Sequence, residues 1–492
     1  MPTHAAAAAA AALKPSAKHH GLHPNKEAMP LCHQGVQRAD RFGRLFPHLP
    51  ALYTAPDALA ALGASGGPME STGTPKKAAT VSAAAVFFGQ FIDHDITLDI
   101  TSSLTRVNTP GSVANARTPT LDLDCIFGDG PEANPFLYWN GRSGADAALN
   151  GVCLLTGADG AAANPLASAD LARTADGRAC IGDPRNDENR VVSQLQLAMI
   201  RFYNKVAVKV HTANPGLTGG ALFEEARRVC TWHYQWVVVH DFLTTMIGKP
   251  LVDDILGCGR QFYRPEKCTH GEHYGAEPYI PIEFSVAAYR FGHSMVPESL
   301  KVQGSGVPLS LFGPELGGGF QPLSSADAVI EWPQVLAERA DKLDAKLAPT
   351  LLALPFLTAG ENSLASRNLL RGQSFLLPSG EKVAAHLCRP EAEIAKVTKA
   401  AKILAGGIDL STGTPLWLYI LLEGGLFGKS PYGPADKGEG LGPVGGRIVG
   451  EVIIGALELD DRSFLGANRA WHPDDPRDGL GVHTLADMLT YN

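Results

Sequence analysis

The sequence predicts a mainly α-helical protein, a single domain with little β-structure. Three observations lead there. Apolar residues recur at three- and four-residue steps through several long stretches, clear period-two alternation is rare, and neither an internal repeat nor a linker divides the chain. Gly (53) and Pro (35) both exceed their usual share, so long irregular connections should join the helices.

The elements follow in order. Residues 1–25 read as a low-complexity arm, expected to be disordered, and residues 26–492 as the domain. Val81–Ile92 is apolar and free of proline, which suits a buried helix. Between Arg190 and Val210, Val192, Leu195, Met199, Phe202 and Val206 share one helical face. Leu222–Ile247 repeats the pattern, with Glu224 and Glu225 near its start and Gly248-Lys249-Pro250 at its stop, the charge and punctuation a helix favours. A further helix should run from Phe284 to Met295 and end before Pro297.

Composition excludes some functions. A formal charge of −8 leaves no basic stripe to neutralise phosphates, which argues against nucleic acid as a partner. No apolar run approaches the ~18–20 residues of a bilayer span. The first residues, MPTHAAAAAAAALKPSAKHH, carry no Lys or Arg ahead of their short apolar run, so no standard signal peptide is read. The eight cysteines form no CxxC pair, which disfavours a zinc or iron–sulfur site. Cys258 and Cys268 bracket a short loop and would pair only in an oxidising compartment.

Four segments concentrate polar groups in apolar settings. Phe87-Phe88-Gly89-Gln90-Phe91-Ile92-Asp93-His94-Asp95 ends an apolar helix on a costly cluster, unless the helix simply surfaces at Asp93. Gly182-Asp183-Pro184-Arg185-Asn186-Asp187-Glu188-Asn189 reads by itself as an acidic helix N-cap. Ala288-Tyr289-Arg290-Phe291-Gly292-His293-Ser294 sets a histidine in an apolar helix, and a lone one is more often a core residue than a ligand. Arg367-Asn368-Leu369-Leu370-Arg371-Gly372 reads alone as a basic helix end.

Together, in this order and at domain-scale spacing, they resemble the signature segments of the animal (myeloperoxidase-like) haem peroxidase superfamily, over roughly residues 80–460. Leu121-Asp122-Leu123-Asp124 and Gly442-Pro443-Val444-Gly445-Gly446-Arg447 resemble its bacterial branch more than its mammalian members. The resemblance implies a haem held between a distal and a proximal helix, and reduction of hydrogen peroxide through a ferryl intermediate. Small anionic (halide, pseudohalide) or phenolic donors would be oxidised, in a secreted or extracellular setting. It assigns His94 as the distal base, Arg185 as the distal cation and Gln90 to the same pocket. His293 becomes the axial ligand of the haem iron, with Asn368 accepting its other ring N–H, while Arg290 and Arg371 face the propionates. Asp93 and Glu188 correspond to the carboxylates ester-linked to haem b. Asn189 departs from the methionine that forms a third bond in myeloperoxidase, so at most two covalent links are expected and chloride oxidation is in doubt.

The resemblance also implies a calcium ion held by Asp95, Thr118, Thr120, Asp122 and Asp124, hard oxygen donors of the kind calcium prefers. Asp124 stands where mammalian members have serine. The rival within the superfamily is a fatty-acid dioxygenase or cyclooxygenase. Those enzymes carry a tyrosine three residues before the proximal histidine, where this chain has Arg290, with Tyr289 one place further back. The other rival is a haem-bearing scaffold without turnover, which would be expected to lack His94 or Arg185.

Overall fold

The computed structural model describes residues 40–491 except 161–163, 266, 269–274, 358–361 and 430–436, with the backbone alone at 267, 268 and 275. The expected N-terminal arm and the Cys268 side chain lie outside the described residues.

Ser82 starts the helix that carries the first motif. Its side chain accepts the Ala85 N–H, and helix α1 (Ala83–Ile96) follows. Strand β1 (Lys77–Ser82) leads into it and pairs antiparallel with β2 (Arg339–Asp341). The remaining described strands are likewise short two-stranded pairings, so helices carry the architecture. Every residue of α1 is buried except Gly89, Gln90 and Asp93, which form one half-open stripe at three- and four-residue spacing. The apolar run therefore seats the helix, and the stripe leaves a polar face free.

Helix α2 is a single turn, Asp124–Phe127. Helix α3 (Arg190–Ala213) starts at Asn189, whose side chain accepts the Val192 N–H, and it packs on α1 and on α4 (Gly219–Val237). The expected Leu222–Ile247 helix is interrupted by a π-turn at Val238–Phe242 before it resumes over Leu243–Ile247. Phe88 and Phe91 of α1 meet Tyr234 of α4 edge-on at 5.9 and 6.1 Å, which fixes the depth of α1 in the core.

The segment expected as a helix from Phe284 to Met295 is not α-helical. It is a π-turn (Glu283–Ala287) followed by a 310 stretch (Ala288–Ser294), broken at Ala287 with φ −128° and ψ −72°. Side chains take the carbonyls an α-helix would use. Arg290 Nε donates to Ser285 O (3.0 Å), and Trp417 Nε1 donates to Arg290 O (3.1 Å). Buried Glu283 meanwhile accepts the Leu45 and Phe46 amides at 2.8 and 3.3 Å, tying the turn to the start of the domain.

Beneath this segment lie α5 (Leu364–Ser374), the nearly all-apolar α6 (Leu416–Phe427) and α7 (Pro443–Leu459). Gly380 touches α6 so closely that a Cβ there would sit 2.1 Å from the Tyr419 side chain. No helix among the described residues is long and apolar enough to cross a membrane.

Candidate active site

His94 sits in the last turn of α1, 6% exposed, and its Nδ1 lies 2.7 Å from Asn186 Oδ1. Burial, reinforced by the nearby Arg185 cation, lowers its pKa to about 4. The ring is therefore neutral near pH 7, and Nε2 makes no hydrogen bond to the described residues. Its neighbour Asp93 accepts the Thr97 hydroxyl at 2.9 Å.

The second motif wraps over the end of α1. Asp183 caps a 310 turn, Pro184–Asp187, by accepting the Arg185 N–H, and Asn189 caps α3. The capping that the motif suggests by itself is thus real, and it sets a second group in place. Arg185 donates through Nη2 to the carbonyls of His94 (3.1 Å) and Thr97 (2.6 Å) and to Asp183 (2.7 Å), leaving Nη1 uncommitted in these bonds. Burial alone would raise the pKa of Asp183, but Arg185 and Arg117 bring it down to about 2. Gln90 donates to Glu188, joining the two motifs side chain to side chain. Glu188 remains reachable by solvent while protein surrounds most of it, and that burial raises its pKa to about 7 against the pull of Arg185. Gly319 presses on the Glu188 carbonyl so tightly that a Cβ would stand 2.0 Å from it.

Across from α1 stands the 310 stretch, where residues three apart eclipse, so Arg290 and His293 share a face. Burial and then Arg290 hold the His293 pKa down to about 3, leaving a neutral imidazole able to bind a metal. Asn368 of α5 presents Nδ2 to His293 Nδ1 at 2.8 Å. With the amide in this orientation Nδ1 is the acceptor, and Asn368 accepts the ring N–H only after a 180° turn about its own axis. Arg290, itself lowered to about 10 by burial, feels both Asp93 and Arg185. The two motifs are therefore near neighbours, on elements that pack together. Arg371 is bound to Asp99 at 2.8 Å, so a second anion there would have to share it.

A third cluster lies behind α1. Asp95, Asp122 and Asp124 are all buried and bring carboxylate oxygens within 4.8 Å of one another. Leu123, between the latter two, adopts a left-handed conformation (φ 60°), and its N–H reaches Asp95 at 3.3 Å. Like charges and burial push the pKa of Asp95 well up, burial contributing most, and its Oδ1 has no hydrogen-bond partner. Arg117 and Arg227 approach only to 3.6 and 3.8 Å. Thr118 Oγ1 donates to Asp122 (2.7 Å), whereas buried Thr120 lends its carbonyl to the Asp122 amide (3.0 Å). Such a donor set suits a hard divalent cation.

Sequence reasoning missed the residues that brace these groups. Arg173 clamps Asp187 with two bonds of 2.7 and 2.8 Å, Arg117 holds Asp183 at 2.8 Å, and Gln196 holds Asn186 at 2.8 Å. Asp183, Asn186 and Asp187 lie inside the second motif, but all three braces come from outside it, and their pairing becomes visible only in the fold.

Residues 97–310 match the family described as animal haem peroxidase. Over that stretch, somewhat under half of its length, the chain is similar to the family. The span holds Arg185, Glu188, Arg290 and His293, while α1 lies just upstream of it and α5 beyond it. Among curated relatives, a chorion peroxidase of Drosophila melanogaster is 31% identical over 129 residues, 26% of this chain and 16% of that protein. The peroxidase mlt-7 of Caenorhabditis elegans is 28% identical over 214 residues, 41% of this chain and 26% of the relative. The chain thus spans about a quarter or less of these relatives' length. Among solved structures, peroxidase A of Dictyostelium discoideum superposes with a TM-score of 0.59 at 14% identity, covering 92% of both chains. A fatty acid alpha-dioxygenase of Arabidopsis thaliana gives 0.59 at 15% identity, covering 92% of this chain and 78% of the other. At these identities the likeness is one of fold alone.

Proposed function

We propose that the protein is a haem-dependent peroxidase, reducing hydrogen peroxide at the expense of a small anionic or phenolic donor. The observation that carries the reading is a pair of neutral histidines on elements that pack together, His94 braced beside the Arg185 cation and His293 beside Asn368. The residues fit haem by their chemistry. His293 offers an unprotonated ring nitrogen once the Asn368 amide is turned to accept the Nδ1 hydrogen, Arg290 a cation for a propionate, and Asp93 and the Gln90-bound Glu188 two carboxylates. Arg371 would serve a second propionate in competition with Asp99.

Bound haem iron would supply the electrons that cleave the peroxide O–O bond. His94 Nε2 takes the proton from one peroxide oxygen and returns it to the departing one. Arg185, always charged, steadies the negative charge that develops during cleavage. Gln90 holds Glu188, and through it the segment that carries Arg185. Asp93 and Glu188 are the proposed ester links to haem b. Asp95, Asp122, Asp124 and Thr118, with Thr120 beside them, are the proposed calcium site, which would pin the end of α1.

The purified protein should show a high-spin ferric Soret band and consume peroxide, and acidified organic solvent should leave most of the haem on the polypeptide. A haem extracted completely would remove the ester proposal. Absence of a Soret band after haem loading would remove the function.

A further inference from the structure

The amide chain behind His94 fixes which of its ring nitrogens carries the proton. The chain starts at the carbonyl of Cys125, in α2, which can only accept. Gln196 Nε2 therefore donates to it (3.1 Å), so Gln196 turns its Oε1 toward Asn186. Asn186 Nδ2 donates to that oxygen (2.8 Å), which leaves Asn186 Oδ1 facing His94 Nδ1 at 2.7 Å. An amide oxygen cannot donate, so His94 Nδ1 must hold the hydrogen, and Nε2 must hold the lone pair. Asn186 and Gln196 are both 0% exposed, so water cannot substitute for any link. Gly182 allows the approach: a Cβ there would stand 2.7 Å from the same Cys125 carbonyl.

We propose that Asn186 and Gln196 are positioning residues for catalysis, locking His94 in the Nδ1–H tautomer so that Nε2 is always ready to take a proton. This rests on the peroxidase reading above. Without the lock either nitrogen can carry the hydrogen, and the fraction with Nε2–H cannot act as base. Asn186 need not touch peroxide, and its effect passes wholly through the imidazole.

The direct test is a neutron structure of the intact protein, which should show deuterium on His94 Nδ1 and none on Nε2. The functional test uses cyanide on the haem-loaded ferric protein. Hydrogen cyanide arrives neutral, and the anion that binds iron must first give its proton to the distal base. Asn186→Leu keeps size and removes the acceptor, and should slow cyanide association about tenfold or more, within the range of general-base effects. Gln196→Met leaves Asn186 free to turn and should slow association by a smaller factor, even if the Asn186 variant fails to fold. Asn186→Asp restores an acceptor and should recover most of the rate. The iron–cyanide stretching frequency should shift in the first two variants and return in the third. Deuterium on Nε2, or Leu and Met variants that bind cyanide at the wild-type rate, would overturn the lock and reduce the amide chain to core packing. A wild-type protein that takes up no haem would overturn the peroxidase reading first, and the lock with it.

Discussion

In the proposed reaction His94 serves as a base because two neighbours act on it in opposite senses. Burial and the Arg185 cation keep it unprotonated, while Asn186 favours the hydrogen on Nδ1. His94→Ala removes both the acceptor and the donor of the proton. Reaction with peroxide should slow by ~100-fold or more, with haem content unchanged, and stopped-flow measurement of the Soret change would read it. An unchanged rate would remove His94 from the distal role. Asp183→Asn gives a second, subtler outcome. It leaves Arg185 its two carbonyl partners and takes away its counter-charge, so the guanidinium should lose orientation and the same rate should fall less than for His94→Ala. At this scale the sequence showed the groups with distinctive chemistry, His94, Arg185 and His293, because the motifs name them. It hid Asn186, Gln196 and Arg173, whose amide and guanidinium groups are ordinary until the fold supplies their partners.

Helices with strong apolar periodicity, α1, α3 and α4, lie close to where their patterns put them. The Glu283–Ser294 segment does not, because side chains claim two of its carbonyls, Arg290 from within it and Trp417 from α6, and apolar periodicity does not encode that. The same kind of long-range demand makes a pH prediction. Glu423 of α6 accepts the first amides of α7, Val444 at 2.9 Å and Gly445 at 3.3 Å, and burial raises its pKa from 4.5 to about 8. Between those values the unfolded chain has released a proton that the folded chain still holds. Stability from this group is therefore complete below about pH 4.5 and declines as pH rises to about 8. Glu423→Gln keeps an acceptor and cannot titrate. Its Tm should vary less over that window and exceed the wild-type value at about pH 9. A wild-type Tm that rises across the window would contradict the assignment. The Asp95–Asp122–Asp124 cluster makes the other element-scale prediction. If it holds calcium at about 100–1,000 times its Kd, prolonged chelation should cost about 3–4 kcal/mol of unfolding free energy. Asp124→Asn should shrink that loss. A protein equally stable with and without chelator would dismiss the ion.

For the whole molecule the fold leaves the reaction open, since peroxidase A and a fatty acid alpha-dioxygenase superpose equally well at TM-score 0.59. The side chains must decide. An oxygenase of the cyclooxygenase kind needs an oxidisable residue on the proximal-histidine face, and in the 310 stretch that face is occupied by Arg290, three residues before His293. Tyr289 is turned instead into an aromatic nest, stacked on Phe284 at 4.7 Å and tilted against Phe242 at 6.5 Å. Its hydroxyl is buried without a hydrogen-bond partner, and burial pushes its pKa well up, so losing a proton there is costly. Haem-loaded protein should therefore turn over peroxide with bromide, thiocyanate or a phenol, and leave linoleate with oxygen untouched. Tyr289→Phe should keep the donor activity within about twofold, since the change deletes only an unpartnered hydroxyl. Linoleate consumption that vanishes in Tyr289→Phe would turn the choice towards an oxygenase, because it would make the buried phenol the working group and Arg290 a bystander.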